Sequence, residues 1–243
     1  MRSRNSPDVT VHVRVLELLS AGEIEILGLL PYASNATLLT RVRKGEQEAL
    51  AVYKPRRGER PLWDFPSGTL CLREAAAWVL DQSLGWGLVP PTVLREGPAG
   101  FGVMQLFVDE DVEVDVRTLL QTHPEDLKRI ALFDVVINNA DRKAGHLVVD
   151  TNGKLWSVDH GICFAVEPKL RTVIWAFEGE RVPAALLDSL GKLVEDGKWI
   201  EELAPLLDGE EIDSLRSRID LMLRNGCYPV PDPGGRHVPW PPW

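Results

Sequence analysis

Apolar and polar residues alternate over residues 23–30, 36–43 and 48–54, and the runs are separated by Pro31-Tyr32-Ala33-Ser34-Asn35 and Lys44-Gly45-Glu46-Gln47. Alternation with a period of two, broken by tight turns, predicts three strands in an antiparallel meander. Two more short runs, 92–95 after Pro90-Pro91 and 102–108 after Gly97-Pro98-Ala99-Gly100, predict two further strands. Helical spacing governs most of the rest. An Ala-rich stretch over 69–84 ends at Gly85 as a C-cap, and Thr122-His123-Pro124-Glu125 reads as a capping box opening a helix to Asn138. On that helix Leu127, Ile130, Ala131 and Ile137 share a face, with Asp134 among them as a polar residue in need of a partner. Residues 11–19 and 114–121 predict short helices, and 1–10 a disordered lead. After Pro183 the pattern gives helices over 184–195, 199–207 and 208–224, the last opened by the capping box Asp208-Gly209-Glu210-Glu211 and closed by Asn225-Gly226. The tail from Pro229 is rich in proline and ends Trp240-Pro241-Pro242-Trp243, which predicts extended polyproline with tryptophans that dock on the body or on a partner.

Between the helix ending at Asn138 and residue 161 the pattern changes again. A polar loop holding Asp141 leads into two short apolar strands joined by Asn152-Gly153, a strong hairpin signal, and the second strand delivers Asp159 before His160-Gly161. A hairpin folds the chain back, so Asp141 and Asp159, eighteen positions apart, are expected close together. Two carboxylates so placed can hold Mg²⁺ and position a nucleophile, the two needs of phosphoryl transfer. Upstream, alternation puts Leu50, Val52 and Lys54 on one face of the third strand. A lysine on an apolar strand face requires an anionic partner or an open cleft, the other reading being a solvated basic loop Lys54-Pro55-Arg56-Arg57. Glu74 in the Ala-rich helix is the candidate partner.

Composition narrows the classes. The 243 residues carry a net charge of −9, and apart from Lys54 to Arg60 the basic residues are scattered, which argues against a nucleic-acid partner. No apolar run approaches the ~18 residues a membrane helix needs. Cys71, Cys163 and Cys227 are odd in number and far apart, as expected of buried free thiols in a reducing cytoplasm. The N-terminus is basic with no apolar core behind it and does not read as a secretory signal. Strands fill the first 110 residues and helices the last 60, so two lobes with a ligand cleft at the hinge are expected.

Asp141-Arg142 and Asp159-His160-Gly161, with their spacing, resemble the catalytic loop and the Asp-Phe-Gly-like triplet of the phosphatidylinositol 3/4-kinase-like branch of the protein-kinase-like fold. The chain is also similar to an actinobacterial family with such a domain, and the motif-level likeness covers about residues 24–178. The resemblance implies an α+β, two-lobed protein-kinase-like fold: an extension over 1–20, a β-rich N-lobe with one helix over 21–108, a helical C-lobe with the catalytic hairpin over 109–228, and a tail over 229–243. It implies ATP and Mg²⁺ or Mn²⁺ as cofactors and a lipid, protein or small-molecule phosphate acceptor. Asp159 would bind the metal, Asp141 would orient the acceptor hydroxyl, and Lys143 would reach the transferring phosphoryl group. Lys54 and Glu74 would fix the α/β-phosphates, Ser34 and Asn35 would lie in the phosphate-covering turn, and Gln105, Leu106, Phe107 and Val108 would form the adenine-binding hinge. Arg142 would brace the loop through a carboxylate, and residues 162–182 stand where kinases keep an activation segment, with Lys169, Arg171 and Arg181 as phosphate contacts or ordinary solvated charges. His146 replaces the family's metal-binding asparagine, which favours Mn²⁺ or a single metal and keeps a nucleotide-binding pseudokinase scaffold in view. A metal-dependent hydrolase built on Asp141, His146, Asp159 and His160 is the rival enzyme class, although it leaves Lys54 and Glu74 without a role.

Overall fold

The structure, a computed structural model, describes residues 7–30 and 36–243, the side chains of 7–12 excepted. The chain divides into two compact units, one holding the residues up to Ala75 together with Pro90–Phe107, the other Ala76–Val89 and Val108–Trp243.

The first unit is a five-stranded antiparallel sheet with helix α1 (Pro7–Ala21) against it. Strands β1 (Glu23–Leu29), β2 (Leu38–Lys44), β3 (Gln47–Pro55), β4 (Thr92–Gly97) and β5 (Gly100–Leu106) lie in the order β1-β2-β3-β5-β4. The alternation of β3 decides its orientation: Ala51 and Tyr53 face the core with Val42, Met104, Leu18 and Leu19, while Leu50 and Lys54 sit on the opposite, less buried side. The face that carries Lys54 is therefore not the strand's main packing face, which removes much of the cost of placing a charge there. Arg95 on β4 donates from Nη1 to the carbonyls of Leu19 (2.7 Å) and Gly22 (3.0 Å), satisfying orphan carbonyls at the end of α1. That helix begins at Pro7, earlier than the apolar pattern indicates, because proline is pre-organised for the first helical turn. Helix α2 (Leu70–Leu84) opens on the carboxylate of Glu59, which accepts from the N–H of Leu70 (3.2 Å) and Cys71 (2.8 Å).

The second unit is mainly helical: α3 (Leu119–Thr122), α4 (Pro124–Val136), α5 (Ala184–Asp196), α6 (Lys198–Leu203) and α7 (Gly209–Asn225), with the hairpin β6 (Leu147–Val149) and β7 (Leu155–Ser157). The core is centred on α4, whose Ile130, Leu132, Phe133 and Val136 are fully buried, each such side chain stabilising the fold by roughly 1.5–3 kcal/mol. Leu190, Leu203, Leu215 and Ile219 of α5 to α7 pack in the same cluster. Three elements depart from the sequence pattern. The stretch 114–121 is a 3₁₀ turn at Val116–Thr118 followed by α3, because the Asp115 carboxylate accepts from the Arg117 N–H and tightens the turn. The capping box at 122–125 does not form: His123 is the N-cap, without a side-chain cap, and Pro124 at the first turn sets the start. Helix α6 stops at Leu203, four residues short of the expected end. The capping box of α7 does form, with Asp208 accepting from Glu211 N–H (2.9 Å) and Glu211 from Asp208 N–H (3.0 Å). No helix among the described residues is long and apolar enough to cross a membrane.

Candidate active site

The loop after α4 is built around one ion pair. Asp134, fully buried on α4, meets Arg142, also fully buried, through Nη2 to Oδ1 (3.0 Å) and Nε to both carboxylate oxygens (3.2 and 3.1 Å). The two open questions of the sequence, a carboxylate on an apolar helix face and an arginine in need of one, answer each other. Burial works against the Arg142 charge, but Asp134 outweighs it and holds the guanidinium pKa above its ordinary value. The remaining donors are used too: Nη1 reaches the carbonyl of Val158 (2.8 Å), and Nη2 lies 2.9 Å from His160 Nε2. A guanidinium can only donate, so His160 Nε2 accepts and its ring proton sits on Nδ1. One arginine thus connects the helix, the loop and the end of β7.

Neighbouring polar groups complete the frame. Asn139 donates from Nδ2 to Asp134 (2.9 Å) and accepts the Asp141 N–H on Oδ1 (3.0 Å), which couples the ion pair to the backbone of Asp141. Asn138 ends α4 in the left-handed region at φ 51°, where asparagine is tolerated, and donates to the carbonyls of Ala165 (2.9 Å) and Glu167 (2.7 Å). Arg218 of α7 caps the same helix end, Nε to Val136 O at 2.8 Å, and burial pulls its pKa down to about 10. Asn138 and Asn139 were missed as site-builders in the sequence, and Asp134 was noted without a role; the signal was three polar residues within an otherwise apolar helix end.

On this frame stand the candidate chemical groups. Asp141 and Lys143 form an ion pair, Nζ to Oδ2 at 3.0 Å. Burial pushes the Asp141 pKa up and Asp159 adds to the rise, while Lys143 pulls the other way without cancelling it. Asp159, half exposed, holds φ at 60°, a left-handed conformation that costs about 1–3 kcal/mol and is found disproportionately at functional sites. His146 Nε2 is 3.4 Å from Asp159 Oδ2, and the Lys143 N–H faces His146 Nδ1 at 3.4 Å. With Nδ1 accepting, the ring proton lies on Nε2 toward Asp159. The second unit therefore brings Asp141, Lys143, His146 and Asp159 into one set. His160, by contrast, points into the buried frame, where its Nε2 meets Arg142 and Ser157 Oγ (3.0 Å). Among the described residues no group of three or more His, Cys, Asp or Glu side chains forms a metal cage.

In the first unit Lys54 on β3 is paired with Glu74 on α2. The Glu74 carboxylate is buried and the Lys54 side chain 20% exposed, so the attraction between them is little screened by water. The Gln105 side chain is buried on β5 and donates to Thr92 Oγ1 (2.8 Å), which leaves only its backbone for the expected hinge role. Strand β5 ends at Leu106, and the N–H groups of Leu106 and Phe107 donate to Pro91 O (2.8 Å) and Leu50 O (3.0 Å) inside the same unit. Val108 opens the second unit, and Ser34 and Asn35 lie outside the described residues.

Comparison with known proteins places the chain. Over 92% of its length it is 38% identical to Protein Rv2133c of Mycobacterium tuberculosis, covering 94% of that protein, and the model of the family "Phosphatidylinositol 3- and 4-kinase" matches residues 95–206. The chain belongs to the phosphatidylinositol 3/4-kinase-like family. Its relatives include phosphatidylinositol 4-kinase gamma 4 of Oryza sativa subsp. japonica, 31% identical over 45% of this chain, which spans 23% of that larger protein. Among solved structures, the Golgi casein kinase with Mn/ADP bound superposes with a TM-score of 0.57 at 14% identity, over 90% of this chain and 76% of that one. At that identity the likeness concerns the fold, which is the two-lobed, α+β protein-kinase-like fold. The family match contains both the Asp141 loop and the Asp159 triplet.

Proposed function

We propose that this member of the phosphatidylinositol 3/4-kinase-like family is an ATP- and divalent-metal-dependent phosphotransferase acting on an alcohol acceptor. The observation that carries the reading is the set in the second unit: Asp141 paired with Lys143, and a half-exposed, conformationally strained Asp159 facing His146, on a loop braced by a buried ion pair. The Golgi casein kinase, described with Mn and ADP bound, supports the choice of ligands.

The residues divide the work. Asp141 orients the acceptor hydroxyl and takes its proton; a raised pKa makes it a better proton acceptor than an ordinary aspartate. Lys143 keeps that carboxylate in place and offers its ammonium to the phosphoryl group in transfer. Lys54, held by Glu74, fixes the α/β-phosphates. Asp159 would supply the hard oxygen ligand for Mg²⁺ or Mn²⁺, and His146 would supply Nε2 in the tautomer that carries its proton on Nδ1, at the expense of the 3.4 Å contact with the Lys143 N–H. Bound there, the metal would neutralise charge on the phosphate oxygens. One carboxylate and one imidazole fit a cation that takes its other ligands from phosphates and water. They fit poorly a hydrolase that must cage its metal with protein groups, all the more because His160 is turned into the frame.

The test is a thermal-shift titration with ATP, MgCl₂ and MnCl₂, followed by ADP release from the same samples. ATP with metal should raise Tm, Asp159→Asn should remove the metal-dependent part, and Asp141→Asn should slow ADP release by roughly 10²-fold or more. A Tm unmoved by ATP with either metal sinks the reading, and a rise from metal alone supports the hydrolase. Binding with no ADP release on any alcohol acceptor supports the pseudokinase scaffold, which His146 in the asparagine position favours.

A further inference from the structure

The proline-rich tail, which turns at Gly234 rather than running on as extended polyproline, is seated on the second unit at both ends. At its root, Tyr228 N–H donates to Glu180 O (2.9 Å) and Gly179 N–H to Tyr228 O (3.2 Å), while Tyr228 Oη donates to Lys128 O (2.9 Å) on α4. At its far end, His237 O accepts from the Thr172 N–H (3.0 Å) and from Trp175 Nε1 (2.9 Å), and the His237 and Trp175 rings meet edge to face at 6.0 Å. Pro242 O accepts the N–H of Ala144 at 2.9 Å. Pro242 and Trp243 also close one side of an apolar cavity of about 360 Å³ whose other walls include Leu127, Leu147 and Ile174.

These contacts fall on the backbone that carries the candidate chemistry. Ala144 opens the 3₁₀ turn Ala144–His146, immediately after Lys143. Thr172 forms a bridge with Arg142: Arg142 N–H donates to Arg171 O (3.0 Å) and Val173 N–H to Arg142 O (3.1 Å). Thr172 Oγ1 also reaches Asp134 Oδ2 at 3.3 Å. From His237 the connection passes to the Thr172 N–H and then, through its chain neighbours Arg171 and Val173, to the backbone of Arg142, and from Pro242 a second, direct hydrogen bond reaches the residue after Lys143. Each is made by a tail carbonyl to Ala144, Thr172 or Trp175, none of which carries the proposed chemistry. A tail that blocked the site would instead be expected to bind the reactive groups.

We propose that residues 236–243 are a positioning strap, which holds the Ala144 turn and the 171–173 segment so that Lys143 and His146 keep their places beside Asp141 and Asp159. The proposal rests on the phosphotransferase reading for its effect on rate, but not for its effect on backbone order.

The experiment compares the full chain with a variant ending at Gly235, using hydrogen exchange of peptides covering 140–148 and 170–176 alongside ADP release. Exchange there should be faster by about tenfold in the shortened chain, and kcat lower by about tenfold with the ATP KM nearly unchanged. A synthetic peptide of residues 236–243, added back, should restore both. Unchanged exchange in the shortened chain overturns the proposal, as does a rise in kcat, which would mark the tail as a plug. If the shortened chain does not fold, two point variants decide. Trp175→Phe removes one donor to His237 and keeps the ring, and Ala144→Pro removes the donor to Pro242 at a position where proline is tolerated. Each should speed exchange by about threefold, and exchange at the wild-type rate in both overturns the strap. A full chain that releases no ADP defeats the phosphotransferase reading alone, because the exchange readout still stands.

Discussion

Arg142 illustrates how much one residue can carry. Its guanidinium is buried with Asp134 and donates to Val158 and His160 at the end of the hairpin, so neither partner has water to fall back on. Removing one member of such a pair leaves an uncompensated buried charge, at a cost of about 3–5 kcal/mol. Asp134→Asn, nearly isosteric, should therefore lower Tm by roughly 10 °C for a chain of this size, as differential scanning fluorimetry would show. Arg142→Lys should not rescue the fold, since an ammonium cannot reproduce the fork. Asp141 gives a prediction in pH. Its folded pKa is raised by burial and by Asp159, against the pull of Lys143. Activity that requires the carboxylate should fail, as pH falls, above the ordinary aspartate range. Lys143→Met removes the one strong lowering influence, so its pH–rate profile should lose activity at a still higher pH, in addition to a lower kcat. A profile that shifts toward acid would contradict the assignment of Asp141 as the proton acceptor.

At the scale of elements, helix ends do the positioning. Helix α4 stops where Asn138 takes the left-handed conformation, and its side chain ties the stop to 165–169, so the loop that follows leaves in one direction only. Asn138→Gly keeps the backbone freedom but loses the ties, and Asn138→Ala loses both. The alanine variant should be the less stable of the two in urea, by about 1 kcal/mol. The end of α2 is closed by a carboxylate: Asp81, fully buried, accepts from the N–H groups of Leu88 (3.1 Å) and Val89 (3.0 Å), and burial pushes its pKa up to about 6 from an ordinary 3.8. The folded chain holds that proton more tightly than the unfolded one. Asp81 thus contributes most to stability below its unfolded pKa, and the contribution is lost as pH rises through about 6. Relative to Asp81→Asn, the wild type should lose Tm between about pH 4 and about pH 7, a difference readable by scanning fluorimetry in matched buffers.

For the whole molecule, ligand linkage tests the assignment of both units at once. ATP with metal at about 100 times its Kd stabilises a folded state by about 2.7 kcal/mol, or roughly 5–10 °C for a chain of this length. Lys54→Met should abolish most of that shift, read against the variant's own ligand-free Tm, which falls as well because the buried Glu74 carboxylate loses its lysine. The five strands, the hairpin and the gathering of the candidate residues around it were legible in the chain because period-two alternation, Asn-Gly turns and the Asp141 and Asp159 spacing are local signals. The Lys54–Glu74 pair was legible for a related reason, a charge on an alternating strand followed by an acid on an adjacent helix. What a linear pattern could not rank was the competition for partners among distant polar groups. Asp134 could have faced any cation, His160 could have joined a metal site, the Gln105 side chain had no assigned partner, and the tail could have docked on the body or on a partner. Each reflects desolvation, which makes a buried donor or acceptor costly to leave unpaired. That requirement turned His160 toward Arg142, tied Gln105 to Thr92, and laid the carbonyls of His237 and Pro242 on the loop. Local periodicity thus chose the elements and the candidate groups, and the hydrogen-bonding demands of a closed interior chose how those groups are held.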